Sequence, residues 1–215
     1  MRNKFDKELD KLNDELTEMG ELVSDKIVQS ISAFKHRDKE KAKVILDSDN
    51  EVDEMEKTIE KRALKLLLQQ QPVASDLRLI SSALKMITDM ERIGDQAADI
   101  AEITMSMPKF TKDETFDKLM KMASLSIEMV KESIKSFVTG DLSLVDNISE
   151  HDDKVDEYFN NIRDNIVEEL RSSETNPEYA TDVLMIAKYL ERIGDHAENI
   201  SEWVEFSITG EHKDN

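Results

Sequence analysis

Residues 83–100 read Ala83-Leu84-Lys85-Met86-Ile87-Thr88-Asp89-Met90-Glu91-Arg92-Ile93-Gly94-Asp95-Gln96-Ala97-Ala98-Asp99-Ile100. Ala83, Met86, Met90, Ile93, Ala97 and Ile100 fall at alternating steps of three and four, which places them on one apolar stripe of an α-helix. One hundred residues later Glu91-Arg92-Ile93-Gly94-Asp95 returns as Glu191-Arg192-Ile193-Gly194-Asp195. The stripe returns with it, as Val183, Ile186, Leu190, Ile193, Ala197, Ile200 and Val204. A heptad-like seam of this kind packs one helix against two others at shallow crossing angles. These residues are core.

Working outward, Phe34 with Asp38 matches Phe137 with Asp141, and Val52-Asp53-Glu54 matches Val155-Asp156-Glu157, each pair 103 residues apart. A three-residue deletion before the last helix of the second copy reconciles the two shifts. An ordered series of matches with one small gap marks a duplication. Each copy reads as three long helices, over 4–35, 38–70 and 74–106, then 112–138, 141–172 and 177–208. Pro72, Pro108 and Pro177 all fall between the periodic segments, where proline does no harm to a helix interior. Asn176-Pro177 has the form of an N-cap followed by proline at the first helical position. Helices of about 30 residues are roughly 45 Å long at 1.5 Å per residue. The expected fold is all-α, with six long helices in two tandem, pseudo-symmetric three-helix bundles divided as 1–107 and 108–215.

Composition agrees. The chain of 215 residues has only 5 Gly and 3 Pro, and its 11 Met with 5% aromatics call for an aliphatic, methionine-based core. Asp and Glu number 48 against 29 Lys and Arg, a formal charge of -19 that repels nucleic-acid phosphates and anionic lipid heads. With no cysteine, disulfides and Cys-based zinc sites are excluded. The start, Met1-Arg2-Asn3-Lys4-Phe5-Asp6, lacks the apolar core of a signal peptide, and no apolar run approaches the roughly 20 residues needed to span a bilayer. The expected location is the cytoplasm, with any membrane contact made through a partner.

Beside the seam runs a second stripe: Leu84, Ile87, Glu91, Asp95 and Asp99 in one copy, Leu184, Ala187, Glu191, Asp195 and Asn199 in the other. It begins apolar and turns acidic. A further acidic ladder lies on the second helix of each copy, with Asp49 and Asp53 (Glu56 and Glu60 nearby) answered by Asp152 and Asp156. Where the second and third helices are neighbours, the ladders face one another, and that many hard oxygen ligands suit Mg²⁺, Mn²⁺, Ca²⁺ or iron. A solvated face in which Arg92 and Arg192 pair with the carboxylates has the same spacing, so both readings stay open at this point. Gly94 and Gly194 each cost a helix about 1 kcal/mol relative to alanine. Tight helix packing, or close approach of a backbone or an ion cluster, would account for them.

Of the four histidines, His36 and His212 read as ordinary exposed residues. His151 adjoins Asp152 and His196 adjoins Asp195, but neither has a histidine at the matching place in the other copy, so structural or solvent roles are favoured. The positions three before each histidine are Ala33, Ile148, Ile193 and Thr209, so the Glu-x-x-His of ferritin-like di-iron sites is missing. Nucleophile arrangements and a phosphate-cradling glycine loop are missing too, and no enzyme is expected.

Two copies of ERIGD in this order resemble the signature of the PhoU family. Ile193-Gly194-Asp195-His196-Ala197-Glu198-Asn199-Ile200 is the closer match, and Ile93-Gly94-Asp95-Gln96-Ala97-Ala98-Asp99-Ile100 varies it. Val52-Asp53-Glu54-Met55-Glu56, Val155-Asp156-Glu157-Tyr158 and Pro72-Val73-Ala74-Ser75-Asp76-Leu77-Arg78 resemble further family motifs, so the likeness covers essentially the whole chain. The resemblance implies two symmetric three-helix bundles carrying multinuclear metal clusters, one per repeat, of iron, Mn, Mg or Zn. It places Asp49, Asp53, Glu91, Asp95 and Asp99 in one site, and Asp152, Asp156, Glu191, Asp195 and Asn199 in the other. Asn199 is a weaker ligand than Asp99, which implies fewer or looser ions in the second site. The implied role is a negative regulator of phosphate uptake and phosphate-starvation signalling. It would link the ATPase subunit of a phosphate ABC transporter to a phosphate-sensing histidine kinase. Separately, the elongated bundle is expected to form a homodimer. The competing expectation is a scaffolding helical protein, or a carboxylate metal-binding protein without a phosphate role.

Overall fold

The computed structural model describes residues 2–69, 72–109, 113–172 and 175–211. Among them the chain forms α1 (Arg2–His36), α2 (Lys39–Asp47), α3 (Asn50–Gln69), α4 (Ala74–Ser106), α5 (Glu114–Thr139), α6 (Ser143–Ser172) and α7 (Pro177–Thr209). No strand occurs among the described residues. Asn176 caps α7 as its sequence suggests, accepting from Glu178 N at 2.8 Å, and Asp38 and Asp113 cap α2 and α5, accepting from Lys41 N at 3.0 Å and Phe116 N at 2.7 Å. Gly140 ends α5 at φ 67° and Gly210 ends α7 at φ 81°, left-handed positions that glycine adopts without steric cost.

One boundary needs correction. The expected second helix, 38–70, is two helices, because the chain turns at Ser48–Asp49 between α2 and α3. The cause is local: Asp47-Ser48-Asp49-Asn50 is a run of short polar side chains that compete for backbone hydrogen bonds. Ser48 Oγ donates to the Ile45 carbonyl at 3.0 Å, and Asp49 N donates to Leu46 O at 3.2 Å. The second copy has Glu150-His151-Asp152-Asp153 at this place, and α6 runs through it unbroken. The end of the expected helix at residue 70 and the start of the fourth at 112 lie outside the described residues, as does His212.

α1, α3 and α4 pack on one another, with α2 against α1 and α4, and α5, α6 and α7 form the matching trio. The two trios meet along α4 with α7 and α1 with α5. Every seam residue read from the sequence, from Ala83 to Ile100 and from Val183 to Val204, is fully buried. The large core continues from one trio into the other, and Phe34 meets Phe116 across the junction with ring centroids 5.8 Å apart. Gly20 lets α1 approach α5 closely: a Cβ there would lie 2.8 Å from Ile134. On the outside Arg62 of α3 grips α1, donating to Glu15 through Nε (2.7 Å) and Nη2 (2.6 Å) and to Glu8 through Nη1 (2.8 Å). No helix among the described residues is long and apolar enough to cross a membrane.

Candidate metal centre

Packing of α3 on α4 brings two acidic ladders together. Asp53, in the first turn of α3, meets Glu91 and Asp95, one turn apart on α4. One carboxylate oxygen from each lies within 4.8 Å of the others, and all three side chains are partly buried. Burial and mutual repulsion raise the pKa of Glu91, with Asp95 the main neighbour, and of Asp95, with Asp49 and Asp53 adding. Arg92 answers in part, 3.5 Å from Glu91 and 3.7 Å from Asp95. Three convergent hard oxygens of this kind fit a divalent cation.

Asp49 sits just behind, in the turn before α3. Burial raises its pKa and Lys26 opposes the rise. Lys26, on α1, is only 4% exposed. Its Nζ donates to the Ser48 carbonyl at 2.5 Å and stands 4.0 Å from Asp49 Oδ1. At the turn that breaks the helix the Ser48 carbonyl accepts from both Glu51 N, at 3.2 Å, and the buried Lys26 ammonium.

The second site is built differently. Asp152 on α6 lies over the bare backbone of Gly194: a Cβ on that glycine would stand 3.2 Å from Asp152 Oδ1 and 3.4 Å from Met129 Cε. The same Oδ1 is buried without a hydrogen-bond partner. Burial, then repulsion from Glu198, Asp195, Asp156 and Asp153, pushes the Asp152 carboxyl up to about 7. Asp195 is raised as well, by burial and then Glu191, with Lys188 opposing. Glu191 itself is ion-paired with Lys188. The second cluster thus offers a cation one orphaned carboxylate oxygen, whereas among the described residues the convergence of three ligand atoms within 4.8 Å is found at Asp53, Glu91 and Asp95.

The remaining two expected ligands face the opposite repeat. Asp99 accepts from the Tyr189 hydroxyl on α7, with Arg192 close by. Asn199 donates to Asp89 on α4 at 3.4 Å, and His196 Nδ1 lies 2.9 Å from that same carboxylate oxygen. These side chains tie α4 to α7. Two participants were not in the sequence-derived set. Glu198 carries a readable signal, three residues after Asp195 and so on the same helical face. Lys26 carries none, because nothing in α1 alone says that its ammonium ends among carboxylates.

The PhoU domain model matches the chain twice, over residues 16–104 and 119–204. The chain belongs to the PhoU family. A PhoU homologue of Clostridium acetobutylicum, named a phosphate-specific transport system accessory protein, is 32% identical over 214 residues, covering 99% of this chain and 98% of that protein. PhoU homologue 1 of Thermotoga maritima, named in the same way, is 33% identical, covering 97% of this chain and 90% of that one. Among solved structures, the phosphate transport system regulatory protein PhoU of Streptococcus pneumoniae superposes with a TM-score of 0.90 at 28% identity, over 98% of this chain and all of that one. PhoU of Pseudomonas aeruginosa gives 0.92 at 28% identity, over 96% of this chain and all of that one.

Proposed function

We propose that this PhoU-family protein is a negative regulator of phosphate uptake and phosphate-starvation signalling. In this reading it is a cytoplasmic, metal-binding adaptor between the ATPase subunit of a phosphate ABC transporter and a phosphate-sensing histidine kinase. The observation that carries the metal part is the convergence of Asp53, Glu91 and Asp95 within 4.8 Å on a chain of this family. The names of the relatives, accessory proteins of the phosphate-specific transport system, support the phosphate part. We take the chain to act as two repeats, 1–107 and 108–215, and to assemble as a homodimer.

Asp53, Glu91 and Asp95 would hold ions in the first repeat, with Asp49 behind them. Asp152, Asp156, Glu191 and Asp195, joined by Glu198, would do so in the second. A bound cation supplies positive charge that cancels carboxylate repulsion and joins the second helix of a repeat to its third. The protein's own part is to present those carboxylates beside one another and to hold the two trios in register through His196, Asn199 and Tyr189. A solvated acidic face is the rival reading, and the Arg92 pairs with Glu91 and Asp95 are what favour it.

Two measurements decide. Elemental analysis after exposure to metal and dialysis should show bound ions in the wild type and their loss from the first repeat in Glu91→Ala with Asp95→Ala; equal metal content would favour the solvated face. Phosphate uptake in a deletion strain grown with abundant phosphate should stay high and fall on complementation. Unchanged uptake, in a strain without a paralogue, would overturn the regulatory part.

A further inference from the structure

Besides the turn that splits α2 from α3 where α6 is continuous, the two repeats differ at the inner end of each carboxylate cluster. The 103-residue register that pairs Asp49 with Asp152 also pairs Lys26 with Met129. In the first repeat, Lys26 is buried, locked to the Ser48 carbonyl at 2.5 Å and 4.0 Å from Asp49. In the second, Met129 leaves a thioether beside Gly194, and Asp152 Oδ1 is buried with no hydrogen-bond partner. The other basic groups do not even out the difference. Arg92 pairs with Glu91 and Asp95 and is more than half exposed, and Lys188 pairs with Glu191 and is 44% exposed. His151 turns to Glu132 at 3.7 Å, and Arg192 lies by Asp99 of the first repeat. One cluster has a fixed internal cation at its inner end; the other has an unpartnered carboxylate.

We propose that Lys26 is a built-in cation that occupies one ion position of the first repeat, so that the first repeat holds fewer divalent ions than the second. This rests on the metal-binding reading above. A buried ammonium and a divalent ion sharing Asp49 would repel one another, with screening by water only from the side on which the Asp49 side chain is 43% exposed. Lys26 is held in place by burial and by the Ser48 carbonyl, which it shares with the Glu51 amide at 3.2 Å. Met129 offers only a weak acceptor and no charge, so Asp152 stays available as a ligand. The order is the reverse of what Asn199 in place of Asp99 implies, because both of those side chains face the opposite repeat.

The test counts Mn²⁺ ions per chain by equilibrium dialysis and elemental analysis on the full-length protein. Wild type, Lys26→Met and Met129→Lys are compared, each also with Asp195→Asn to silence the second repeat. Lys26→Met should gain an ion, or bind its first-repeat Mn²⁺ about tenfold more tightly, and should keep that gain with Asp195→Asn. Met129→Lys should lose an ion from the second repeat. Unchanged counts and affinities in both variants, with wild type still binding Mn²⁺, would overturn the proposal while leaving the metal reading intact. A wild type that binds no Mn²⁺ at all would remove both. If circular dichroism shows that Lys26→Met does not fold, Met129→Lys decides alone: a lost ion supports the proposal and an unchanged count sinks it.

Discussion

His196 on α7 and Asp89 on α4 are joined across the two repeats, Nδ1 to Oδ1, at 2.9 Å. The histidine next to a candidate ligand is thereby committed to holding the trios together, and Asp89 also accepts from Asn199. His196→Gln, the residue found at the matching Gln96, should leave Mn²⁺ binding unchanged in a calorimetric titration. Asp89→Ala removes the acceptor of both groups and should cost about 1–2 kcal/mol in urea unfolding. Loss of metal with either variant would give these side chains a place in the site itself.

Chelator-treated protein should become less stable as the pH rises. Asp152 is pushed up to about 7 by burial and its acidic neighbours, so the folded state keeps that proton longer than the unfolded chain does. The stability it contributes is complete below the unfolded carboxylate value of about 4 and is lost as the pH climbs through about 7. Asp49, Glu91, Asp95 and Asp195 are raised too and act in the same sense. Thermal midpoints measured across this range should fall more steeply for wild type than for Asp152→Asn. Adding Mn²⁺ at the alkaline end should restore them. Parallel curves would show that Asp152 does not titrate in this window.

The two mid-helix glycines should respond differently to alanine. At Gly194 the new methyl would press on Asp152 Oδ1 at 3.2 Å and on Met129 at 3.4 Å. At Gly94 its nearest neighbours would be atoms of the Val52 side chain, at 3.3 Å. Gly194→Ala should weaken Mn²⁺ binding to the second repeat by about tenfold, a cost of about 1.4 kcal/mol. Gly94→Ala should leave binding alone and change stability by less than about 1 kcal/mol, because the helix-propensity gain offsets the crowding. Equal metal affinities in the two variants would remove Gly194 from the site.

Gly20→Ala tests the seam between the trios. Its Cβ would stand 2.8 Å from two Ile134 side-chain atoms, so α1 and α5 must part or Ile134 must leave its rotamer. Overpacking costs about 1–3 kcal/mol, more than the roughly 1 kcal/mol of helix propensity gained. A double-mutant cycle with Ile134→Ala should recover part of the loss, since removing the larger side chain opens room for the methyl. No coupling would mean that the helices yield freely.

The seam, the repeat and most of the helix ends were legible because each is written in near-neighbour terms. Apolar residues at steps of three and four can share a face only on a helix, and Asn176-Pro177 caps one whatever lies around it. The break at Ser48–Asp49 was missed although its cause is in the sequence. Asp47-Ser48-Asp49-Asn50 interrupts a pattern whose period continues on both sides, so the periodic signal hid the turn.

The site was legible only as a set of faces. Spacing puts Glu91, Asp95 and Asp99 on one stripe of α4, but a stripe winds slowly around its helix. By Asp99 it points at Tyr189 of the other repeat, while Glu91 and Asp95 point at Asp53. The sequence by itself determined two copies of a three-rod unit, with carboxylates beside the seam. Only the tertiary structure decided which carboxylates converge, which cross to the other repeat, and that Lys26 stands among one set where Met129 stands beside the other. The reason is physical: helical periodicity is a property of neighbours along the chain. The charge at a buried point depends on side chains from helices far apart in sequence, and on how closely glycines let them approach.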